Sequence, residues 1–205
     1  MDRLVAEGFL ETRPRAGTRV RIPTAADVRG NYVLREALET QAARLFAASA
    51  SAARRHHILR LAEQLDARYA ALQANPSPAR SVAVEKAHVA FHLAIARSTG
   101  CPQLVEAIER SRVLVFNWLF SRSAAFAPLP PAWHADLARV LVRPDPAAAA
   151  EAMREHVRFR LEEVVEHFRR LRRKAAGAGS IRRPRALAAG GQRQRELDSR
   201  IASEG

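Results

Sequence analysis

Cysteine occurs once in the chain, at Cys101, so an intramolecular disulfide and a multi-cysteine zinc site are both excluded. Any bound metal must then be held by histidines and carboxylates. No apolar run approaches the ~18 residues of a membrane span. The first residues, MDRLVAEGF, lack the basic-then-apolar order of a secretion signal, and a cytoplasmic protein is expected. Glycine is scarce, 9 of 205 residues, whereas Ala, Leu, Arg and Glu abound, a composition that favours helix. With 48% apolar residues the chain can build a real core, as one good-sized domain or one domain with a small appendage.

A formal net charge of +13 suggests nucleic acid until it is located. From Arg169 to the end there are 11 Lys or Arg against 3 acidic residues, and residues 1–24 hold 5 against 3, so residues 25–168 carry a net of only +3. The basicity belongs mainly to a tail rich in Gly, Ala, Ser and Arg without apolar periodicity, as in solvated disordered segments. A solvated extension is one reading, and nonspecific hold on nucleic acid through clustered Arg is the other.

Residues 2–7 read as the last turns of a helix that stops at Gly8. Phe9–Arg13, the turn Pro14–Gly17 and Thr18–Pro23 then form a β-hairpin carrying Arg13, Arg15, Arg19 and Arg21, of the kind that can lie along a phosphate backbone. From Ala25, with Thr24 as N-cap, a long helix shows the stripe Val28, Tyr32, Leu34, Leu38, Ala42, Leu45, Phe46, with Arg35 on or near it. A second helix spans roughly 51–73, and its His56 and His57, set among Arg54, Arg55 and Arg60, face solvent. A third contains Val84, Ala87, Phe91 and Ile95 and ends at Gly100, ahead of Pro102. A fourth runs over about 103–123, and the proline-rich 126–131 is a loop. A fifth covers 132–142. Asp145 caps a sixth that starts with Pro146 and continues to about 172. The expected fold is all-α, an antiparallel bundle of about six helices with short links.

Four of the seven histidines fall on or beside apolar faces of three helices: His88 and His92, His134, and His156. His88 and His92 are four residues apart, about one turn, and point off one face. Bundles build metal sites from such inward side chains. Ordinary hydrogen-bonded core histidines are the rival reading. A third is a mononuclear metalloenzyme, in which open-sided imidazoles activate water and Glu85, one turn from His88, serves as base. Di-iron bundles need Glu-x-x-His from two helices, and only Glu85 with His88 supplies it here. Cys101 is read as a small buried apolar residue rather than a nucleophile.

A resemblance adds to these observations. Phe91-His92-x-x-Ile95-Ala96-x-x-Thr99-Gly100-x-Pro102-x-Leu104, then His134-x-x-Leu137, Asp145-x-x-Ala148-Ala149 and Met153-Arg154-x-His156 resemble the ligand-binding FCD domain of GntR-family bacterial transcription regulators, the FadR-like branch. Tyr32-Val33-Leu34-Arg35-x-x-Leu38-Glu39 matches the first helix of that effector domain. The stretch from Arg3 to Val20 resembles the end of the recognition helix and the wing of the family's winged helix-turn-helix.

The resemblance implies a homodimeric, ligand-responsive DNA-binding regulator whose helical domain binds a divalent metal and a small carboxylate effector. It implies residues 1–24 as a winged helix-turn-helix remnant and 25–173 as the effector-binding and dimerisation domain, whereas 174–205, without a counterpart in the family, reads from its composition as a basic disordered tail. His92, His134 and His156 fall on the family's three His positions, and His88 stands where the family has Asp. An added imidazole softens the site, which favours zinc, nickel or copper over manganese; three-His binding with His88 outside the site stays open. Arg35 matches an arginine common in the family and could pair with an effector carboxylate or only form a salt bridge. The base-reading helix of the family has no counterpart here, so an N-terminally truncated regulator is expected. Its DNA contacts through Arg13, Arg15 and Arg19 would be weak and nonspecific. The competing functions are a mononuclear metal-dependent enzyme and a dimerisation module without sensing.

Overall fold

The computed structural model describes residues 10–13, 17–110 and 128–180. The chain divides after Arg170 into two compact units. The described part of the second, residues 171–180, is helical. The proposed helix at 2–7, Arg15, the last part of the fourth helix and most of the basic tail lie outside the described residues.

The first unit opens with a two-stranded antiparallel ribbon, β1 (Leu10–Arg13) and β2 (Gly17–Val20), in which Glu11 stands opposite Arg19. Gly17 closes the turn at φ +80°, a left-handed conformation that a side chain would strain. Seven described helices follow: α1 (Ala25–Ser49), α2 (Ala52–Ala74), α3 (Pro78–Arg97), α4 (Pro102–Arg110), α5 (Trp133–Leu141), α6 (Pro146–Arg158) and α7 (Leu161–Ser180). No described helix is long and apolar enough to cross a membrane. The all-α bundle is the fold that the apolar periodicity calls for.

Helix starts follow local chemistry. Thr24 accepts from the Asp27 amide, and the Asp27 carboxylate accepts from the Thr24 backbone N–H, a reciprocal capping box also joined by Arg21. Ser51 caps α2, and Ser77 with Pro78 starts α3 several residues before the histidine segment. Asp145 accepts from the amides of Ala147 and Ala148 at the start of α6. Gly100, at φ +73°, lets the chain leave α3 as expected.

Two expectations are corrected. The proposed sixth helix is broken at Phe159–Arg160 into α6 and α7, although neither Pro nor Gly lies there. Phe159 packs instead on Trp133, with ring centroids 4.3 Å apart. Leu34, assigned to the buried stripe of α1, is 43% exposed beside Val33 at 68%, while Arg35 takes the inward position.

The core lies where α1 meets α6 and where α2 packs on α3 and α5. Phe46, Ile58, Leu65, Phe91, Ile95, Leu141 and Met153 fill it. Burying each such side chain fully contributes about 1.5–3 kcal/mol. Arg55 ties helix ends together across this core. It donates to the carbonyls of Ala47 and Ala50 at the end of α1 and to Val142 after α5. Carbonyls at helix ends have no partner within their own helix, so the guanidinium satisfies groups that would otherwise depend on water.

Candidate metal centre

Five helices contribute to one buried polar cluster. α3 brings His88 and His92, α5 brings His134, α6 brings His156, α1 brings Arg35 and Glu39, and α2 brings Asp66 and Tyr69. The imidazole centroids of His88 and His92 are 4.7 Å apart, and that of His134 lies 5.3 Å from those of His88 and His156. His92 and His156 are likewise 5.3 Å apart. The four histidines singled out from sequence therefore converge, whereas His56 and His57 are exposed as expected.

Their nitrogens are arranged unequally. His88, His92 and His156 each bring one ring nitrogen to within 4.8 Å of the others. His134 is outside that set, and its Nδ1 is engaged by Asp66 Oδ1 at 2.7 Å. The Nε2 atoms of His88 and His92 are 3.0 Å apart. Nitrogens bound side by side to one ion at about 2.0–2.1 Å lie about 2.9–3.4 Å apart, so this spacing suits a shared cation. Without one, a proton on one nitrogen must point at the lone pair of the other. Nδ1 of His156 is buried with no hydrogen-bond partner among the described residues, and its ring stacks on Trp133. An orphaned buried nitrogen is costly unless something absent from the polypeptide takes it. The donor set and the orphan both fit a bound divalent ion.

Carboxylates stand behind two of the rings. Glu39 Oε2 lies 2.5 Å from His92 Nδ1, off ideal hydrogen-bond alignment; an anionic oxygen and a nitrogen lone pair would repel at that distance, so the nitrogen carries the proton. The other oxygen of Glu39 accepts from Arg35 Nε at 2.6 Å. Both members of this i,i+4 pair are buried, Arg35 at 6% and Glu39 at 3% exposure, so the salt bridge is internal rather than on the surface. Burial alone would raise the Glu39 pKa, but Arg35 and then His92 outweigh it and bring it down to about 2. Glu39 is therefore an anion at neutral pH.

Asp66 has a double role. Besides His134 Nδ1 it accepts from the backbone amides of His134 and Ala135. Ala132, the residue before α5, is left-handed at φ 58° and has no side chain that can cap, so the carboxylate of α2 caps α5 from across the bundle. Burial raises the Asp66 pKa, and its hydrogen bonds from His134 and the two amides more than offset this, so it too stays ionised.

Burial, with further repulsion from the neighbouring histidines and Arg35, pushes His88 and His156 well below the ordinary imidazole pKa. His134 is lowered by burial, partly offset by Asp66. These rings are neutral near pH 7, the form in which imidazole donates to a metal. Arg35 lies within electrostatic reach of all three.

Reasoning from sequence missed Asp66 altogether and gave Glu39 no role. The available signal was an acidic residue beside an apolar stripe: Asp66 follows Leu65, and Glu39 follows Leu38. Arg19 is exposed on β2; Arg13 lies on β1, and its side chain is outside the described residues. Cys101 is only partly buried, against the expectation of a buried apolar role, because the α3–α4 junction lies at the edge of the bundle and leaves its sulfur beside Gln103.

The comparisons with known proteins point one way. The FCD domain family matches residues 31–159, which includes every histidine of the cluster. No curated protein matches. A GntR transcriptional regulator structure from Rhodococcus sp. RHA1 is similar at TM-score 0.58 and 18% identity, over 80% of this chain and 76% of that one. A GntR-family regulator from Pseudomonas syringae pv. tomato str. DC3000 is similar at TM-score 0.54 and 22% identity, over 86% of this chain and 70% of that one. At such identities the structures speak to fold, and the family match covers more than half of the chain. The chain belongs to the FCD-domain family.

Proposed function

We propose that this chain is the sensing part of a GntR-type transcription regulator, in which the helical domain binds one divalent metal ion and, with it, a small carboxylate effector. The observation that carries this reading is the convergence of His88, His92 and His156 around a common point inside an FCD domain, with His134 beside them. When bound, the ion supplies a Lewis-acidic position for an anionic oxygen. The chain's own residues do the rest: His88, His134 and His156 stay neutral, Tyr69 stacks on His134 and Trp133 on His156, and the buried position keeps bulk water from the effector.

An all-imidazole set favours zinc or nickel over manganese. Arg35 is a partner for the effector carboxylate, since its bond to Glu39 uses Nε and leaves the terminal nitrogens of the fork outside that bond. Family membership supports a regulator over a metal-dependent enzyme. We assign the β-hairpin, with Arg13, Arg15 and Arg19, to phosphate contact with DNA, and the chain to a homodimer.

Thermal melting of zinc-loaded and EDTA-treated protein, with a panel of small mono-, di- and tricarboxylates, tests the reading. At least one carboxylate is expected to raise the melting temperature of the loaded protein only, and Arg35→Ala to reduce the shift. Turnover of any panel member into product would instead identify an enzyme.

A further inference from the structure

The outer nitrogens of the inward histidines are not treated alike. His92 and His134 each face a buried or half-buried carboxylate through Nδ1, from Glu39 on α1 at 2.5 Å and Asp66 on α2 at 2.7 Å. Each carboxylate already accepts from other donors, Glu39 from Arg35 and Asp66 from the amides of His134 and Ala135. Each acts as an acceptor toward the ring as well, so Nδ1 of each ring carries the proton and Nε2 is left as a bare lone pair. For His92 that lone pair points at His88 Nε2, 3.0 Å away, which must then carry the facing proton. The network thus reads in one direction, from His88 to His92 to Glu39, with Arg35 closing it. For His134 the same fixing is tied to the folding of α5, because the carboxylate that holds the ring also caps the helix that carries it. His156 has no such partner among the described residues.

We infer that Glu39 and Asp66 are positioning residues: by keeping the proton on Nδ1 they leave Nε2 as the bare nitrogen of His92, in the cluster, and of His134, beside it, available to a divalent cation before it arrives. The inference rests on the metal reading above for its consequence, though not for its geometry. A carboxylate behind a ligating imidazole fixes the tautomer, stiffens the ring and raises the basicity of the inner nitrogen, and its loss typically costs ~10–100-fold in metal affinity. In this chain these two residues also return negative charge to a site whose candidate ligands are all imidazoles, which matters because a buried cation with no nearby anion is expensive.

The experiment has a metal-free arm and a zinc arm, with wild type, Glu39→Gln and Asp66→Asn. Nitrogen–proton correlation spectra of the EDTA-treated protein report the imidazole tautomers directly. His92 and His134 are expected as Nδ1–H tautomers in wild type. Glu39→Gln should disturb His92 and, through it, His88, and Asp66→Asn only His134. In the zinc arm each variant should bind ~10–100-fold more weakly than wild type at unchanged helix content. Asn keeps an oxygen able to cap α5; if that variant nonetheless unfolds, Glu39→Gln carries the test alone.

Nε2–H tautomers in wild type, or tautomers unmoved in the variants, would overturn the inference. So would unchanged zinc affinity in variants whose tautomers have shifted. If the tautomers respond as stated but wild type binds no zinc, the positioning stands and the metal reading falls.

Discussion

His92 and His134 differ from His88 and His156 in what stands behind them. The first two are backed by carboxylates from neighbouring helices. Of the second two, His88 meets another imidazole, and His156 has a buried nitrogen without a partner among the described residues. A backed ring is oriented by the polypeptide itself, and its orientation is encoded in contacts made on folding. An unbacked ring depends on whatever completes the site. His92 and His134 therefore form the half of the centre that the polypeptide orients, and His88 and His156 close it.

Removing a backed ring should have the largest effect. His92→Ala is expected to weaken zinc binding by more than the ~100-fold upper range for loss of a supporting carboxylate, as read by competition titration against a chelator. An effect below tenfold would erase the distinction between the two halves. Next in size is the unbacked half. His156→Ala and His88→Gln should each weaken binding by about tenfold, less than the backed ring because less preorganisation is lost.

His88→Asp sharpens the same contrast by chemistry. A carboxylate at position 88 hardens the site, and the zinc-to-manganese affinity ratio should fall by about tenfold or more. Parallel titrations with the two ions measure it, and an unchanged ratio would place His88 outside the ligand set.

The pH response of the metal-free protein gives a smaller effect. His88 and His156 have folded pKa values below the ordinary 6.5, so below pH 6.5 the unfolded chain takes up protons that the folded chain refuses. The folded state is thus most stable above pH 6.5 and loses stability as pH falls, by up to ~1.4 kcal/mol per pH unit for each ring. Glu39, held at about 2 against an ordinary 4.5, adds a further loss between those values. Urea denaturation at pH 7.5, 6.5 and 5.5 should show the midpoint falling with acid, and less so in a His156→Phe variant. The smallest effect is a control: His57→Ala, on the exposed face of α2, should leave zinc affinity unchanged.

Much of the bundle was legible because its signals are local. Thr24, Ser51, Asp145 and Gly100 mark helix ends through hydrogen bonds or backbone conformations that span only a few residues. The inward histidines were legible from periodicity, which separates His88, His92, His134 and His156 from exposed His56 and His57. Asp66 carried only a weak signal, its place beside Leu65, and its pairing with His134 was not legible because the two are 68 residues apart. The break at Phe159–Arg160 escaped for a related reason: the contact between Phe159, in the break, and Trp133, on α5, joins segments distant in sequence, and no Pro or Gly announces it. Leu34 shows the limit of periodicity, because the inward position next to it is taken by Arg35, whose burial depends on Glu39.

The central claim is that the histidine cluster holds one divalent ion. Equilibrium dialysis of the protein against zinc, followed by elemental analysis, tests it most directly. The account predicts one ion retained per wild-type chain and none in the His88→Ala/His92→Ala double variant at unchanged helix content. A wild-type chain that retains no ion, or a double variant that retains as much as wild type, would contradict it.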